Sequence, residues 1–475
     1  MGHVRVSVII NTLDRADQLA LTLLSLMTLR YPAFEVVVVH GPCQDHTADV
    51  LSRFAPAIRI GACPEANLAM SRNIGLTMAR GEIVAFLDDD AIPEPDWLDR
   101  LAPAFDDPAV GGAGGFIRDH DGVRFQHQVI VADRFGEAEK FAELPADLGA
   151  GRYFSPTGTN VAVRRAALLA IGGFDEEFAY FLDETDVNLR LGAAGWRLVS
   201  IPAAEVHHKF AASHLRSANR VPRSLYLIAR SKSYFCWVHA SGSHSAEDIE
   251  RELRRFAAEH GQKIDRFLKR RRIDAPTASR LATEVEQGLA DGKRDATAPP
   301  RLLPPDAADQ ATDGSFLPFA STAQRPRIRV CLISHHWRWN RATRRVAADL
   351  AARGHEVTVI RSGRGPRPYI EFRDGMWIHV LVPPRATLRQ PKSWKAALPS
   401  RSRFAAAAAA EIGRIQPRRQ FQILAGAAPD IAALRRHDLP ATMTAIGALE
   451  QHIHALEVGQ STQPAELARP DGQPD

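Results

Sequence analysis

The residues best equipped for chemistry stand together in EIVAFLDDDAIPEPDWL, where an apolar run ends abruptly in Asp88, Asp89 and Asp90 and gives way to a proline-rich turn. Three adjacent carboxylates repel one another. At the end of a buried strand such a cluster calls for a cation, and hard divalent ions such as Mg²⁺ and Mn²⁺ take carboxylate oxygens readily. A metal shared between these side chains and a diphosphate is the chemistry that suits them. The competing role is a solvated acidic turn, and the apolar run before it argues against that. A second acidic group, Asp183, Glu184 and Asp186 in FAYFLDETDVNLRLGAAGW, crowds the first turn of an expected helix. The helix dipole favours acids there, so capping by Asp183 competes with a catalytic role. His207 and His208 follow the expected strand RLVSIP and offer an imidazole. Adjacent strand residues face opposite ways, so only one of the two histidines can face the acidic cluster.

Such residues need a scaffold, and the first hundred positions supply one. VRVSVII, a helix from about Asp17 to Leu29, FEVVVVH, a helix from near Asp45, AIRIGAC, a helix over 67–80 and EIVAFLD alternate strand with helix. Apolar strands flanked by helices predict a parallel sheet covered on both faces, with ligands at the strands' carboxyl ends. Residues 111–151 read as irregular and glycine-rich, and SPTGTNVAVRRAALLAIGGF as a turn, a short strand and a helix closed by Gly172 and Gly173. A basic helical stretch over 215–272 ends in KRRR. Residues 275–324, rich in Ala, Asp and Pro, read as a linker with room for one helix. RIRVCLISHHWRW then starts a second α/β unit. The expected divisions are 1–274, a linker over 275–324, a smaller α/β domain over 325–458, and a disordered polar tail over 459–475.

The 475 residues, 45% hydrophobic and 24% charged, suit two or three globular domains and exclude a wholly disordered or fibrous chain. A formal charge of +5 suits anionic partners. No helix-turn-helix, zinc-finger or RNA-binding signature accompanies it, so nucleic acid is not an expected partner. Four cysteines without a C-x-x-C pair fit a reducing cytosol. The expectation is a cytoplasmic protein with neither signal peptide nor membrane-crossing helix. Any membrane contact is then peripheral. The basic residues Arg216, Arg220, Arg223, Arg230, Lys232 and 269–272 could lie on an anionic leaflet, each worth ~1 kcal/mol there.

Six segments in register, NTLDRADQL, GPCQDHTADVL, NLAMSRNIGLTMARGEIVAFLDDDAIPEPDWL, GTNVAVRRAALLAIGGFDEEF, LDETDVNLRLGAAGW and IPAAEVHHKFA, resemble family-2 glycosyltransferases of the GT-A fold over roughly residues 3 to 240. The resemblance implies an α/β domain with a mixed, mainly parallel sheet and an inverting, metal-dependent transfer from a nucleotide-diphosphate sugar. Asp88 and Asp90 would be the D-x-D pair holding Mn²⁺ or Mg²⁺ and the donor diphosphate, with Asp89 beside them. Glu184 falls where the family has its catalytic Asp and would be the general base, with Asp183 and Asp186 supporting the site or holding the acceptor. His208 would be a metal ligand, with His207 the runner-up. Asn11, Thr12 and Arg15 match the donor loop after the first strand, and Asp45 and Arg72 match nucleoside-side positions. His40 stands where the family has an Asp on the base. Gly158, Thr159 and Asn160 match a loop beside donor sugar and acceptor, while Trp97 and Trp196 are expected to pack. Donors would be UDP, dTDP or GDP sugars, and the acceptor a glycan or lipid-linked glycan of a cell-surface polysaccharide.

The stretch from Arg327 resembles the amino-terminal half of family-4 glycosyltransferases of the GT-B fold. His335, His336, Trp337 and Arg338 replace that family's glycine-rich loop, and too few residues follow for its second domain. An inactive remnant or interaction domain is expected. Two further readings compete with an active transferase: a non-catalytic nucleotide-sugar binding protein, and a phosphohydrolase, against which Ala91 and Ile92 after Asp90 count. A processive synthase would need membrane helices and a Q-x-x-R-W signature.

Overall fold

The computed structural model describes residues 2–217, 219–307, 315–319, 327–336, 341–382 and 401–457. They fall into two compact units, one of 1–120 with 124–320, the other of 121–123 with 321–475.

The first unit opens with the expected alternation: β1 (Val6–Thr12), α1 (Ala16–Leu26), β2 (Phe34–His40), α2 (Thr47–Phe54), β3 (Arg59–Ala62), α3 (Leu68–Met78) and β4 (Ile83–Asp88). Strands β1, β2 and β4 are buried on both faces, which is why they read as continuous β-branched runs rather than as alternation. After β5 (Ala91–Pro93) and α4 (Trp97–Leu101) come β6 (Val110–Arg118), β7 (Phe125–His127), β8 (Val129–Ala132), β9 (Ala138–Phe141) and β10 (Tyr153–Phe154). Then follow β11 (Asn160–Arg164), α5 (Arg165–Ala170), α6 (Asp183–Ala193) and β12 (Arg197–His208). The nine-stranded sheet runs β3-β2-β1-β4-β11-β6-β12-β5, with β7 on β6. Strands β3, β2, β1 and β4 are parallel, β11 is antiparallel to both its neighbours, and β12 is parallel to β6. A GT-A-like mixed sheet results, with one apolar core on each face.

Part of the stretch expected to be irregular is strand β6, VGGAGGFIR. Glycine weakens a strand unless neighbours come too close for a side chain. That is the case here. A Cβ on Gly111 would meet Trp196, one on Gly114 would meet Pro156, and one on Gly115 would meet the Ala204 carbonyl. The basic stretch is also not one helix: residues 209–217 and 219–225 are irregular apart from an Arg216–Pro222 bridge, and α7 (Tyr226–His239) and α8 (Ala246–Lys269) follow. Ser245 and Asp248 cap α8 reciprocally.

The stretch expected as a linker with room for one helix opens on that helix, α9 (Ala275–Asp295), capped by Asp274 and packed on α7. Its glycines explain the packing. Gly288 and Gly292, one turn apart, face the α7 backbone; a Cβ on Gly292 would lie 2.3 Å from the Arg230 carbonyl oxygen.

The second unit has its own six-stranded sheet, in the order β15 (Tyr369–Arg373), β16 (Met376–Leu381), β14 (Glu356–Ser362), β13 (Arg329–Ser334), β17 (Ile423–Gly426), β18 (Thr442–Ala445). All neighbours are parallel except β15 and β16. Helices α10 (Arg341–Ala352), α11 (Arg401–Arg419), α12 (Ala428–Leu434) and α13 (Leu449–Glu457) accompany it, α11 containing the alanine run. Trp337, Arg338 and the tail over 459–475 lie outside the described residues. No helix among the described residues is long and apolar enough to cross a membrane.

Gly292→Ala should force α7 and α9 apart and destabilise the first unit by ~1–3 kcal/mol, a cost typical of overpacking, seen as a lower urea midpoint. An unchanged midpoint would mean that α9 is not integral to this unit.

Candidate active site

Strand pairing assembles the site. In the register of β1 with β4, Asn11 lies opposite Asp88; in that of β11 with β4, Asn160 lies opposite Leu87, which brings Thr159 beside Asp88. Antiparallel pairing of β12 with β5 sets His208 opposite Ala91, next to Asp90. Four strand ends thus converge on the three aspartates.

The aspartates diverge. Asp89 turns toward the β1 loop, where Thr12 Oγ1 donates to it at 2.8 Å and Arg15 Nη1 at 2.7 Å. Burial raises its carboxyl to about 7 against the pull of Arg15, and the charge on Asp90 adds to the rise. Asp88 and Asp90 turn the other way, toward His208. His208 Nε2 lies 3.3 Å from Asp90 Oδ1 and 3.9 Å from Asp88 Oδ2. One ligand atom from each of the three lies within 4.8 Å of the others, a candidate metal group.

The donor set fits a divalent cation on its own geometry. Asp90 Oδ1 is buried without a hydrogen-bond partner, although Asp90 Oδ2 accepts from the Ala211 N–H at 2.7 Å. Despite burial, His208, Arg15 and that N–H hold the Asp90 carboxyl down to about 2. His208 Nδ1 donates to Gln126 Oε1 at 2.9 Å, while Gln126 Nε2 lies 2.9 Å from His127 Nε2. The ring is thereby fixed with its Nε2 edge toward the carboxylates, the outer-shell arrangement of metal-bound histidines. His207 faces the opposite side of β12. It is fully buried against Glu94, with Nε2 to Oε1 at 2.8 Å, and burial pushes it down to about 3.

The acids of α6 form a second group around Arg72. This α3 guanidinium is 4% exposed, pairs with Asp183 and lies 3.7 Å from Glu184 Oε2. Gly158 makes room for it: a Cβ there would fall 2.1 Å from Arg72 Nη2. Asp183 is 1% exposed and Glu184 26%. Burial raises Asp183 well above the ordinary carboxylate range, despite Arg72, and the Glu184 charge adds to the rise. Burial acts on Glu184 too, but Arg72 and its hydrogen bonds hold it below its ordinary value. Glu184 is therefore the accessible, ionised member. The Gly158 N–H donates to it at 3.4 Å, and the next residue, Thr159, donates through Oγ1 to Asp88 Oδ2 at 2.6 Å. Two consecutive residues thus join the α6 acids to the candidate metal group.

Other expected site residues have partners within the fold. Asp186 is 2% exposed, accepting from Arg190 Nε at 2.9 Å and meeting His239 Nε2 at 2.8 Å, away from Arg72. Asn160 is fully buried. It donates to the Phe116 and Ala204 carbonyls at 3.0 and 2.9 Å and accepts from Trp97 Nε1 at 2.8 Å, so its polar atoms are occupied within the core. Asp45 accepts from the Ala16 N–H and from Thr47, joining the starts of α1 and α2. His40 Nδ1 lies 2.9 Å from the Gly41 carbonyl. Asn11 donates to Ser71 Oγ at 2.6 Å. Trp97 and Trp196 pack, as expected.

The sequence reading missed Gln126. It sits on a three-residue strand within the glycine-rich stretch, 82 positions from His208, and no local pattern marks it. It also missed the pairing of Arg72 with Asp183, although both residues were singled out.

Residues 3–226 match the family model described as glycosyltransferase like family 2. The chain is 28% identical over 256 residues to the O-antigen biosynthesis protein RfbC of Myxococcus xanthus, covering 51% of this chain and 20% of that protein. Over 83 residues it is 40% identical to the N-acetylglucosaminyl-diphospho-decaprenol L-rhamnosyltransferase of Mycobacterium tuberculosis, covering 17% of this chain and 25% of that one. The chain thus spans a quarter or less of the length of these relatives. Among solved structures, a mannosyltransferase of Pyrobaculum calidifontis in complex with GDP-Man and Mn²⁺ has 18% identity and a TM-score of 0.37, covering 62% of this chain and 88% of that one.

Arg72→Ala should leave the acids at the start of α6 without their counter-charge and destabilise the first unit by ~3–5 kcal/mol in urea unfolding. Arg72→Met combined with Asp183→Asn should recover part of that loss. Equal losses in the single and double variants would contradict the pairing.

Proposed function

Residues 3–226 form a family-2 glycosyltransferase domain, and from that premise we propose that it is an inverting, metal-dependent transferase. It would move a sugar from a nucleotide diphosphate to a hydroxyl of a glycan or lipid-linked acceptor in cell-surface polysaccharide synthesis. The observation that carries this reading is the continuity from Asp88 through Thr159 and Gly158 to Glu184, because transfer needs a held diphosphate and a base at one place. Relatedness to RfbC supports the polysaccharide setting.

Asp88, Asp90 and His208 would hold the ion. The mixture of carboxylates with one imidazole suits Mn²⁺ better than Mg²⁺. When bound, the ion neutralises charge on the leaving nucleoside diphosphate. The remaining steps belong to the chain. Arg15, paired with Asp89, and Asn11 line the donor side of β1, and Arg72 holds the acids of α6 in place. Glu184 takes the proton of the acceptor hydroxyl as that oxygen attacks the anomeric carbon, and the bond from that carbon to the diphosphate breaks on the opposite face. An ionised, partly exposed Glu184 beside a buried Asp183 suits the base role. Inversion follows from a single displacement. The second unit is proposed to take no part in transfer, and the protein to work at the cytoplasmic face of a membrane.

Glu184→Gln should lower transfer by ~10²–10⁴-fold, the usual contribution of a general base, while donor affinity stays within about threefold. Wild-type turnover in that variant would refute the base assignment, and donor binding without transfer in the wild-type protein would favour a binding module. Gln126→Ala should weaken Mn²⁺ binding by ~10–100-fold, the effect expected of an outer-shell partner, measured by Mn²⁺ electron paramagnetic resonance. Unchanged affinity would remove Gln126 as the outer-shell support of the site.

A further inference from the structure

We propose that an open cavity of about 550 Å³ between the loop after β12 and the α8–α9 turn binds a phosphate-class anion. Its lining includes Arg223, Arg271, Arg272 and Arg280, with Ser217 and Thr277 offering hydroxyls. None of these residues belongs to the metal group or the α6 acids, and this inference does not depend on the function proposed above.

Three segments bring the arginines together. Arg223 ends the irregular loop, where its N–H bonds the Leu215 carbonyl at 2.8 Å and the Arg216–Pro222 bridge closes the turn. Arg271 and Arg272 form the turn out of α8, with Arg271 at φ 52°, in the left-handed region that non-glycine residues enter at a cost. Arg280 lies on α9 and is paired with Glu284. The side chains of Arg223, Arg271 and Arg272 have no ion pair among the described residues, and no carboxylate lines the cavity.

That arrangement differs from an ordinary solvated basic face. On α8 and α9 the other arginines interleave with acids, as in Arg251–Asp248, Arg255–Glu252, Arg255–Glu259 and Arg294–Asp291. Among the described residues, four arginines and no carboxylate line the cavity, and Arg223, Arg271 and Arg272 lack the acidic partner that Arg280 has in Glu284. Asp274 already caps α9 by accepting from the Thr277 N–H, so the attraction comes from the guanidiniums rather than from the helix end. Guanidinium forks match phosphate oxygens two at a time, and the neighbouring hydroxyls can donate to a third. The group could come from a soluble phosphate ester or from a lipid headgroup.

The full chain in metal-free buffer, titrated calorimetrically with pyrophosphate, tests this. The expected result is saturable one-to-one binding that weakens as salt rises. In Arg223→Gln/Arg271→Gln/Arg272→Gln it should weaken about tenfold or more, as loss of charge-assisted hydrogen bonds predicts. The urea midpoint of the triple variant should match the wild type, which reports that it folds. Flotation with vesicles of phosphatidylglycerol and phosphatidylcholine separates the sources. Binding that pyrophosphate displaces indicates a headgroup, and pyrophosphate binding without flotation indicates a soluble ligand; either supports the cavity. Absence of pyrophosphate binding at low-millimolar concentration, or equal affinity in the triple variant, overturns it.

Discussion

The structure turns on a carboxylate that has left water. Asp90 follows the buried strand β4, is 3% exposed, and holds one oxygen with no hydrogen-bond partner. A buried charge persists only where other groups compensate it, and here the compensation comes from several places in the chain. Ala211 N–H satisfies one oxygen, His208 approaches the other, and Arg15 lies 3.8 Å from the first. Arg15 also donates to the Ala212 carbonyl, so the loop after β12 is fastened to the loop after β1 through the same acid. The repulsion that makes DDD conspicuous in the sequence is thus resolved by sending Asp89 to Arg15 and Thr12 and leaving Asp88 and Asp90 to face the imidazole.

Arg72 performs the corresponding task for α6. Its guanidinium lies near the rings of Phe86 and Phe174, at 5.8 and 5.4 Å, so apolar packing holds it where two carboxylates need it. The helix it serves starts from an unusual backbone: Phe181 and Leu182 both have positive φ, 77° and 66°. Each such residue costs of order 1–3 kcal/mol, and persists only where surroundings over-determine it. Leu182 is held by Phe178, Tyr234 and Phe235, which places part of α7 under α6. The α7–α9 pair is therefore structural support for the site.

Charge along the chain and charge in space tell different stories. The basic residues after His208 look like one cationic surface in the sequence, yet Lys232 is 1% exposed between Glu137 and Glu252, and Arg230 is paired with Glu177 and Asp295. Arg216 donates to the Tyr180 hydroxyl, and Arg220 lies over the Phe210 ring, which in turn lies against His208. Of the others, Arg223, Arg271 and Arg272 line one cavity, and none of the three has an ion pair among the described residues.

The α/β alternation, the D-x-D acids and the acidic start of α6 were legible in the sequence because each rests on local physics: side-chain periodicity, like-charge crowding, and the end of an apolar run. What failed to show rests on partners distant in the chain. The glycines of β6 read as irregular chain because the Trp196 ring and the Ala204 carbonyl that require them are far away in sequence. Asn160 read as a donor contact because nothing local reveals the Trp97 indole or the two carbonyls it serves. His207 and His208 were equivalent as neighbours, and the pairing of β12 with β5 separated them, one toward Glu94 and one toward the aspartates. Asp183 and Glu184 likewise differ in depth, Asp183 lying buried against Arg72, which enters over Gly158. Residue types determine which chemistry is available. Which member of each pair meets solvent is set by strand register and helix packing, since both act across chain separations that no local pattern spans.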